Sequence, residues 1–157
     1  MIIDNFIKGV ELKHRNRYFS GICFNSSKCK KDNIFFAIKG IKIDGNKFIN
    51  HAIQKGAKTI ISNQKFEGIK KNILFIKSSN VRKSLSEFAY TIYKDRPKNI
   101  IAVTGTNGKS SIADFYFQIL RLNKKKVASI GTLGIKTQSY IKKVSNTTID
   151  PIALSII

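Results

Sequence analysis

The stretch Asn99-Ile-Ile-Ala-Val-Thr-Gly-Thr-Asn-Gly-Lys-Ser-Ser-Ile112 predicts a buried strand, a glycine loop and the first turn of a helix. The run Ile100–Val103 is short, apolar and largely β-branched, which is typical of a parallel strand covered on both faces. Gly105 and Gly108 allow the backbone to turn sharply and to approach a ligand closely. Successive N–H groups in such a loop, together with the positive end of the following helix, can hold an anion. The stretch therefore predicts a phosphate-binding site.

Two side chains give this loop the chemistry of a nucleoside triphosphate site. Lys109 can reach the outer phosphates, and the Ser110 hydroxyl can be a ligand of Mg²⁺. The usual phosphate-loop pattern has a glycine five positions before Gly108, where this chain has Val103. A helix is expected after the loop, because apolar side chains recur there at the spacing of one buried face. They are Ile112, Phe115, Tyr116, Ile119 and Leu120.

Length and composition indicate a folded chain. With 157 residues, of which 42% are hydrophobic, it can form one good domain or two small ones. No apolar run approaches the length of a membrane span, and the N-terminus lacks the pattern of a signal peptide. We therefore expect a cytoplasmic protein without membrane insertion, and a monomer.

The formal net charge of +20 raises the hypothesis of a nucleic-acid partner. The lysines, however, are scattered over almost every segment and interleaved with Ile and Asn, residues that A/T-rich codons encode. Neither a zinc-finger spacing nor an RNA-binding aromatic signature accompanies them. We favour genome composition and solvated lysines over nucleic-acid binding.

The cysteines and histidines show no metal-ligand pattern. Cys23 and Cys29 are separated by five residues and lack a paired C-x-x-C motif, so we expect reduced thiols rather than a disulfide or a metal site. His14 and His51 stand alone in the sequence. His51 falls on a predicted helix, where a surface or packing role is favoured over catalysis.

Alternating strands and helices before residue 95 predict an α/β layer fold. Strands are expected at 18–24, 34–38, 59–62 and 73–76. One helix is expected from Asn46, with Gly56 just past its end at the C′ position. A second is expected to begin after Asn80, which can cap it.

Pro97 stops helix propagation and indicates a domain boundary. The helix after the glycine loop is expected to end near Leu122 and to lead into a strand at 126–130, so that residues 103–130 form a strand-helix-strand unit. Two strands and one helix cannot cover a parallel sheet on both faces. We therefore expect the N-terminal part of a longer protein, or a truncated gene product.

Several motifs carry a family resemblance. Thr104-Gly-Thr-Asn-Gly-Lys-Ser-Ser111 resembles the ATP loop of the Mur ligase superfamily, TGTNGK followed by two hydroxyl residues. Upstream segments resemble the N-terminal domain of these ligases: Phe24-Asn-Ser-Ser-Lys28, Asp32-Asn-Ile-Phe-Phe-Ala-Ile-Lys-Gly40, Asp44-Gly-Asn-Lys-Phe-Ile49 and Ala52-Ile-Gln-Lys-Gly-Ala57. Downstream, two segments resemble the members that add the third residue of the peptidoglycan stem peptide: Gly131-Thr-Leu-Gly134 and Asn146-Thr-Thr-Ile-Asp-Pro151.

The fold and activity implied by this resemblance are those of an ATP-dependent amide ligase. Residues 1–96 would form a small α/β domain that binds the UDP-linked substrate, and 97–157 would begin a central P-loop domain with a parallel sheet. The substrate would be UDP-N-acetylmuramoyl-L-alanyl-D-glutamate, extended by diaminopimelate or lysine. ATP would phosphorylate the glutamate carboxylate, and the incoming amine would attack the acyl phosphate. Such phosphoryl transfer needs positioning and charge neutralisation more than covalent help from the protein.

The resemblance also implies the site residues. ATP would be held by Gly105, Thr106, Asn107, Gly108, Lys109, Ser110 and Ser111, with Lys109 catalytic and Ser110 a ligand of Mg²⁺. The uridine side of the substrate would meet Phe24, Ser26 and the loop Ile41-Lys42-Ile43. The muramoyl-dipeptide would meet Asn146, Thr147 and Thr148. In this chain Asn25-Ser26-Ser27 stands where the family pattern has an acid, a serine and an arginine.

Two other functions stay open. Another ligase of the superfamily, such as the one that adds D-Ala-D-Ala or folylpolyglutamate synthetase, would share the ATP loop, although segments 131–134 and 146–151 argue against it. A basic, non-catalytic nucleic-acid-binding module is the second alternative. The family's magnesium-binding glutamate and histidine, its carbamylated lysine and its C-terminal domain would lie beyond Ile157. We therefore expect this chain alone to be inactive.

Overall fold

The structure, a computed structural model, describes residues 1–3, 16–41, 43–143 and 149–156. The chain divides into two compact units, Met1–Lys94 and Asp95–Ile157. Each unit has its own sheet.

The first unit is built on a five-stranded sheet with the spatial order β1-β2-β3-β5-β4. Its strands are β1 (Gly21–Cys23), β2 (Asn33–Phe36), β3 (Thr59–Ser62), β4 (Gly68–Lys70) and β5 (Ile73–Lys77), and its helices are α1 (Ile49–Gln54) and α2 (Val81–Ile92). Strands β1, β2, β3 and β5 run parallel, and β4 pairs antiparallel at the edge. The predicted α/β fold with a parallel sheet is confirmed.

Helices cover both faces of this sheet. On one face, the ring of Phe88 in α2 packs edge-on against Phe19 and Phe36, with ring centroids 6.1 and 5.2 Å apart. On the other face, α1 contributes to a cluster of buried side chains: Cys23, Cys29, Phe35, Ala37, Ile49, Ala52, Ala57, Ile60 and Ile73. All four residues of β2 are buried, as expected of a parallel strand that is covered on both sides.

Local signals in the sequence mark the start of α2 and the end of α1, as expected. The side-chain oxygen of Asn80 accepts a hydrogen bond from the N–H of Lys83 at 3.0 Å and so caps α2. Gly56 follows α1 with φ of +106°, and a Cβ there would lie 2.8 Å from the Cα of Lys31. Only glycine combines this backbone conformation with such a close approach.

The prediction of reduced thiols is wrong, because Cys23 and Cys29 form a disulfide. β1 ends at Cys23, and a single 3-10 turn at Ser26–Lys28 brings the chain back, so that the two Cα atoms are 5.8 Å apart. This separation suits a disulfide. The turn sets the distance, and the spacing of the cysteines along the chain did not reveal it.

The second unit combines helices with a small antiparallel sheet. Its elements are α3 (Lys109–Leu122), β6 (Ser129–Gly131), β7 (Gly134–Lys136), β8 (Ile141–Lys142) and α4 (Pro151–Ile156). The strands lie in the order β6-β7-β8, and both pairs are antiparallel. The predicted helix after the glycine loop is confirmed, including its end at Leu122.

The strand predicted at Ile100–Val103 is wrong. These residues enter no β-ladder, and Ile100 is 83% exposed. A strand depends on hydrogen bonds to a neighbour, and no strand within the described ranges pairs with this stretch. The strand-helix-strand unit predicted for 103–130 is therefore not formed, because β6 pairs with β7 instead.

The apolar face predicted to be buried on α3 is largely exposed. Four of its five members are exposed: Ile112, Phe115, Tyr116 and Ile119. Phe117, which was not predicted to be buried, is 5% exposed. Periodicity shows which side chains share a face, whereas the neighbouring elements decide which face is covered.

Candidate functional site

The glycine loop leads directly into α3. Gly105 and Gly108 have φ of +144° and +76°, and Gly108 occupies the N-cap position of α3 without a side-chain cap. A Cβ at either position would meet no atom closer than 3.7 Å, so the backbone conformation, and not crowding, calls for glycine here. The first N–H groups of α3 receive no capping side chain and can donate to an anion.

Lys109 folds back over its own loop. Its Nζ donates to the carbonyl oxygens of Gly105 and Thr106, the second at 3.0 Å. These contacts hold the ammonium group beside the loop glycine. A phosphate is a stronger acceptor than a carbonyl and can take over these hydrogen bonds.

Ser110 lies one residue into α3 and contacts the turn between β6 and β7. Its Oγ is 2.7 Å from the Oγ1 of Thr132. A hydroxyl that makes one hydrogen bond still has a lone pair for a cation. The donor set of loop N–H groups, one ammonium and one hydroxyl fits the phosphates of a nucleotide with Mg²⁺. Thr106, Asn107 and Ser111 are exposed in the same segment.

A polar stripe on α3 faces the antiparallel sheet. Asp114 accepts hydrogen bonds from Lys136 of β7 and, at 2.7 Å, from the side-chain amide of Gln118. The bond from Lys136 and then that from Gln118 hold the pKa of Asp114 below its usual value. Ser110, Asp114 and Gln118 recur every four residues and so share one helix face. Sequence reasoning missed this stripe, although its spacing was a usable signal.

The predicted uridine-side residues lie in two loops at one edge of the first unit's sheet. β1 and β2 are adjacent and parallel, so the loops after their carboxyl ends leave the same edge, where ligands of α/β sheets commonly bind. Phe24 and Ser26 follow β1, whereas Ile41 and Ile43 lie in the loop after β2. Phe24, Ile41 and Ile43 are exposed, and Ser26 is 6% exposed. Lys42 lies outside the described residues.

Ser26 is hydrogen-bonded to a histidine that sequence reasoning had assigned to surface or packing. The Nδ1 of His51 in α1 lies 3.0 Å from the Oγ of Ser26. The two residues are 25 positions apart, and no local pattern connects them. Only the packing of α1 against the turn that carries Ser26 brings them together.

The residues predicted to contact the muramoyl-dipeptide, Asn146, Thr147 and Thr148, lie outside the described residues. Asp150 follows them and caps α4, because its carboxylate accepts a hydrogen bond from the N–H of Ala153 at 2.9 Å. Pro151 occupies the first position of that helix, where a missing N–H costs nothing.

Two features of the described residues concern membrane spans and metal sites. In the described ranges, no helix has the length and apolar character needed to cross a bilayer. Nor do three or more His, Cys, Asp or Glu side chains in those ranges come together where they could hold a metal ion.

Comparisons with known proteins identify the family of this chain. A family model described as the catalytic domain of the Mur ligase family matches residues 18–99. The UDP-N-acetylmuramoyl-L-alanyl-D-glutamate–2,6-diaminopimelate ligase of Rickettsia prowazekii (strain Madrid E) is 42% identical over 122 residues, which cover 78% of this chain and 25% of that protein. The chain thus spans about a quarter of the length of this relative.

Solved structures show the same fold. A UDP-N-acetylmuramoyl-L-alanyl-D-glutamate–2,6-diaminopimelate ligase superposes with a TM-score of 0.77 at 23% identity, covering 99% of this chain and 32% of that one. The MurF ligase of Thermotoga maritima in complex with ADP has a TM-score of 0.52 at 25% identity, covering 67% of this chain and 24% of that one. The family match extends over more than half of the residues. The chain belongs to the Mur ligase family.

Proposed function

We propose that this chain provides substrate-binding and ATP-binding parts of the amide ligase that extends UDP-N-acetylmuramoyl-L-alanyl-D-glutamate by a diamino acid in peptidoglycan synthesis. The phosphate loop carries the proposal, because it places Lys109 and Ser110 at the uncapped start of α3. The 42% identity to a diaminopimelate-adding ligase supports diaminopimelate over lysine. The cytoplasm is the proposed compartment, since the reaction needs ATP.

The phosphate loop has a defined role in this reaction. Its N–H groups and the Lys109 ammonium would bind the ATP phosphates and offset their charge, and the Ser110 hydroxyl would be a ligand of Mg²⁺. ATP would transfer its γ-phosphoryl group to the glutamate carboxylate and leave as ADP, and the amine would then attack the acyl phosphate and displace inorganic phosphate. The MurF structure with ADP supports a nucleotide as the ligand of this loop.

The first unit would bind the uridine side of the substrate. The exposed ring of Phe24 can stack on the base, and the Ser26 hydroxyl can hydrogen-bond a polar group of the nucleotide. The loop of Ile41, Lys42 and Ile43 would border the same edge. Asn146, Thr147 and Thr148 would contact the muramoyl-dipeptide.

Nucleotide binding by the chain itself tests the loop assignment. We expect Lys109→Ala to weaken binding of ATP with Mg²⁺, measured by isothermal titration calorimetry, by about 10- to 100-fold, because a hydrogen bond to a charged group contributes about 1.5–3 kcal/mol. Lys126→Ala removes an exposed lysine outside the loop and should leave the affinity unchanged. Equal affinity in Lys109→Ala and the unmodified chain would contradict the assignment.

Substrate choice is tested by a second titration. UDP-N-acetylmuramoyl-L-alanyl-D-glutamate should bind, and a folate substrate should not. Preference for the folate compound would favour a different ligase of the superfamily.

A further inference from the structure

The Ser26 hydroxyl has a defined partner inside the first unit. His51 Nδ1 and Ser26 Oγ are 3.0 Å apart, and the Ser26 side chain is almost fully buried. The turn that carries Ser26 is itself fixed, since the side-chain oxygen of Asn25 accepts a hydrogen bond from the N–H of Ser27 at 3.0 Å. Helix α1 is anchored by Ile49 and Ala52, which belong to the core cluster. The hydroxyl is therefore held by a packed helix.

The hydroxyl hydrogen of Ser26 can point either toward Nδ1 of His51 or toward a bound ligand. If Nδ1 of His51 carries no proton, it accepts a hydrogen bond from the Ser26 hydroxyl. The lone pairs of Ser26 Oγ are then available to a ligand. If Nδ1 carries a proton, it donates to Ser26 Oγ, and the Ser26 proton is free for an acceptor on the ligand. His51 thus decides whether Ser26 accepts or donates.

We propose that His51 is a positioning residue, which orients the Ser26 hydroxyl toward the nucleotide part of the UDP-linked substrate. Neutral imidazole side chains favour the Nε2-protonated tautomer, which leaves Nδ1 free to accept a hydrogen bond from the Ser26 hydroxyl. Ser26 then accepts a hydrogen bond from an N–H or O–H group of the uridine. This inference rests on the proposed function, because it assumes that Ser26 meets the uridine side.

Two kinds of substitution at His51 separate its hydrogen bond from its bulk. His51→Asn keeps a polar atom near the place of Nδ1, whereas His51→Phe keeps a ring and removes both nitrogens. Ser26→Ala removes the hydroxyl on which His51 would act. Thermal unfolding of each variant shows whether the first unit remains folded.

A double-mutant cycle on the binding of UDP gives the central test, with the whole chain titrated in a calorimeter. We expect Ser26→Ala to raise Kd by about 3- to 10-fold, the usual loss for one neutral hydrogen bond. His51→Phe should raise Kd by a similar factor in the unmodified chain and by no further factor in the Ser26→Ala chain. His51→Asn should retain most of the UDP affinity that His51→Phe loses. Rescue by Asn is not expected if the ring of His51 only fills space.

The tautomer of His51 gives a readout that needs no ligand. Nitrogen-15 shifts of its imidazole ring should show the Nε2-protonated form in the unmodified chain, and the Nδ1 shift should change in Ser26→Ala because the hydrogen bond from the hydroxyl is lost. Unchanged shifts in Ser26→Ala would overturn the inference, because the ring would then not sense the hydroxyl.

The binding outcomes distinguish this inference from the proposed function. If UDP binds, but His51→Phe weakens it equally with and without the Ser26 hydroxyl, the role of His51 is overturned and the uridine site stands. If the unmodified chain binds ATP through Lys109 but fails to bind UDP, the uridine-side assignment and the role of His51 both fall.

Discussion

Helices α2 and α3 are both amphipathic, yet α2 buries its apolar face and α3 exposes most of its own. In the first unit, α2 buries Val81, Leu85 and Phe88 against the sheet. In the second unit, α3 exposes most of its apolar face and buries Phe117. The contrast shows that an apolar stripe alone does not decide burial, because a stripe is covered only where another element packs on it.

The glycine loop lies in the unit with the smaller core. Among the described residues of that unit, Phe117 and Ile135 are the buried large hydrophobic side chains. Polar contacts instead connect α3 to its sheet, namely Ser110 with Thr132 and Asp114 with Lys136. Four large apolar side chains of the α3 face are exposed, and contiguous exposed apolar patches usually mark a surface that meets another part of a protein or a partner.

The largest expected effect separates the two units directly. Phe35 is 0% exposed and Phe115 is 63% exposed, so the same truncation tests both surroundings. We expect Phe35→Ala to lower the free energy of unfolding by about 3–5 kcal/mol and Phe115→Ala to change it by less than about 0.5 kcal/mol. Urea unfolding followed by circular dichroism measures both.

If Phe35→Ala does not fold, Phe35→Leu provides the comparison, and it should fall between the other two variants. A loss for Phe115→Ala as large as that for the Phe35 variants would mean that the α3 face is covered in solution. The contrast between the units would then be wrong.

Glycine substitutions should cause losses of stability of intermediate size in the two units. Gly56→Ala would force a Cβ against Lys31 at positive φ and should lower the stability of the first unit by about 1–3 kcal/mol. Gly134→Ala, also at positive φ, would meet the carbonyl of Lys142 and should loosen mainly the β7–β8 pairing. Thermal unfolding and amide hydrogen exchange report these losses.

Gly68→Ala is the matched control for Gly56→Ala. Its φ is +123°, but a Cβ there would meet no atom within 4 Å, so it isolates the backbone cost from the crowding. An equal loss in Gly56→Ala and Gly68→Ala would show that the contact with Lys31 contributes nothing.

The smallest expected effect concerns pH and the polar stripe on α3. Because hydrogen bonds from Lys136 and Gln118 lower the pKa of Asp114 below 3.8, its charged form stabilises the second unit above that pH. This stabilisation is lost as the pH falls through the lowered pKa. Water near the pair keeps the effect small.

Hydrogen exchange of the α3 amides should therefore speed up below about pH 4, relative to the intrinsic rate, and this acid response should weaken in Asp114→Asn. Asp95→Asn, an exposed carboxylate in the same unit, is the control and should leave the response intact. An identical response in Asp114→Asn would contradict the role of the stripe.

Much of the first unit could be predicted from local chemistry. The short runs at 59–62 and 73–76, each with two isoleucines, predicted strands. The Asn80 cap and Gly56 marked a helix start and a helix end, because each of these signals acts within a few residues. The loop from Gly105 to Ser111 predicted phosphate binding in the same way. Its ligands stay a prediction that the titrations test.

Contacts between distant residues could not be predicted in this way. The disulfide between Cys23 and Cys29 depends on a turn, the His51–Ser26 hydrogen bond on the packing of α1, and the exposure of the α3 face on which elements lie beside it. The strand expected at Ile100–Val103 fails for the same reason, since a strand needs a neighbour. The sequence by itself determined the family and the α/β class, because short motifs specify them, and it predicts phosphate binding at Gly105–Ser111. Only the tertiary structure decided which side chains meet across the chain and which apolar faces are covered, because these depend on distances that no local pattern sets.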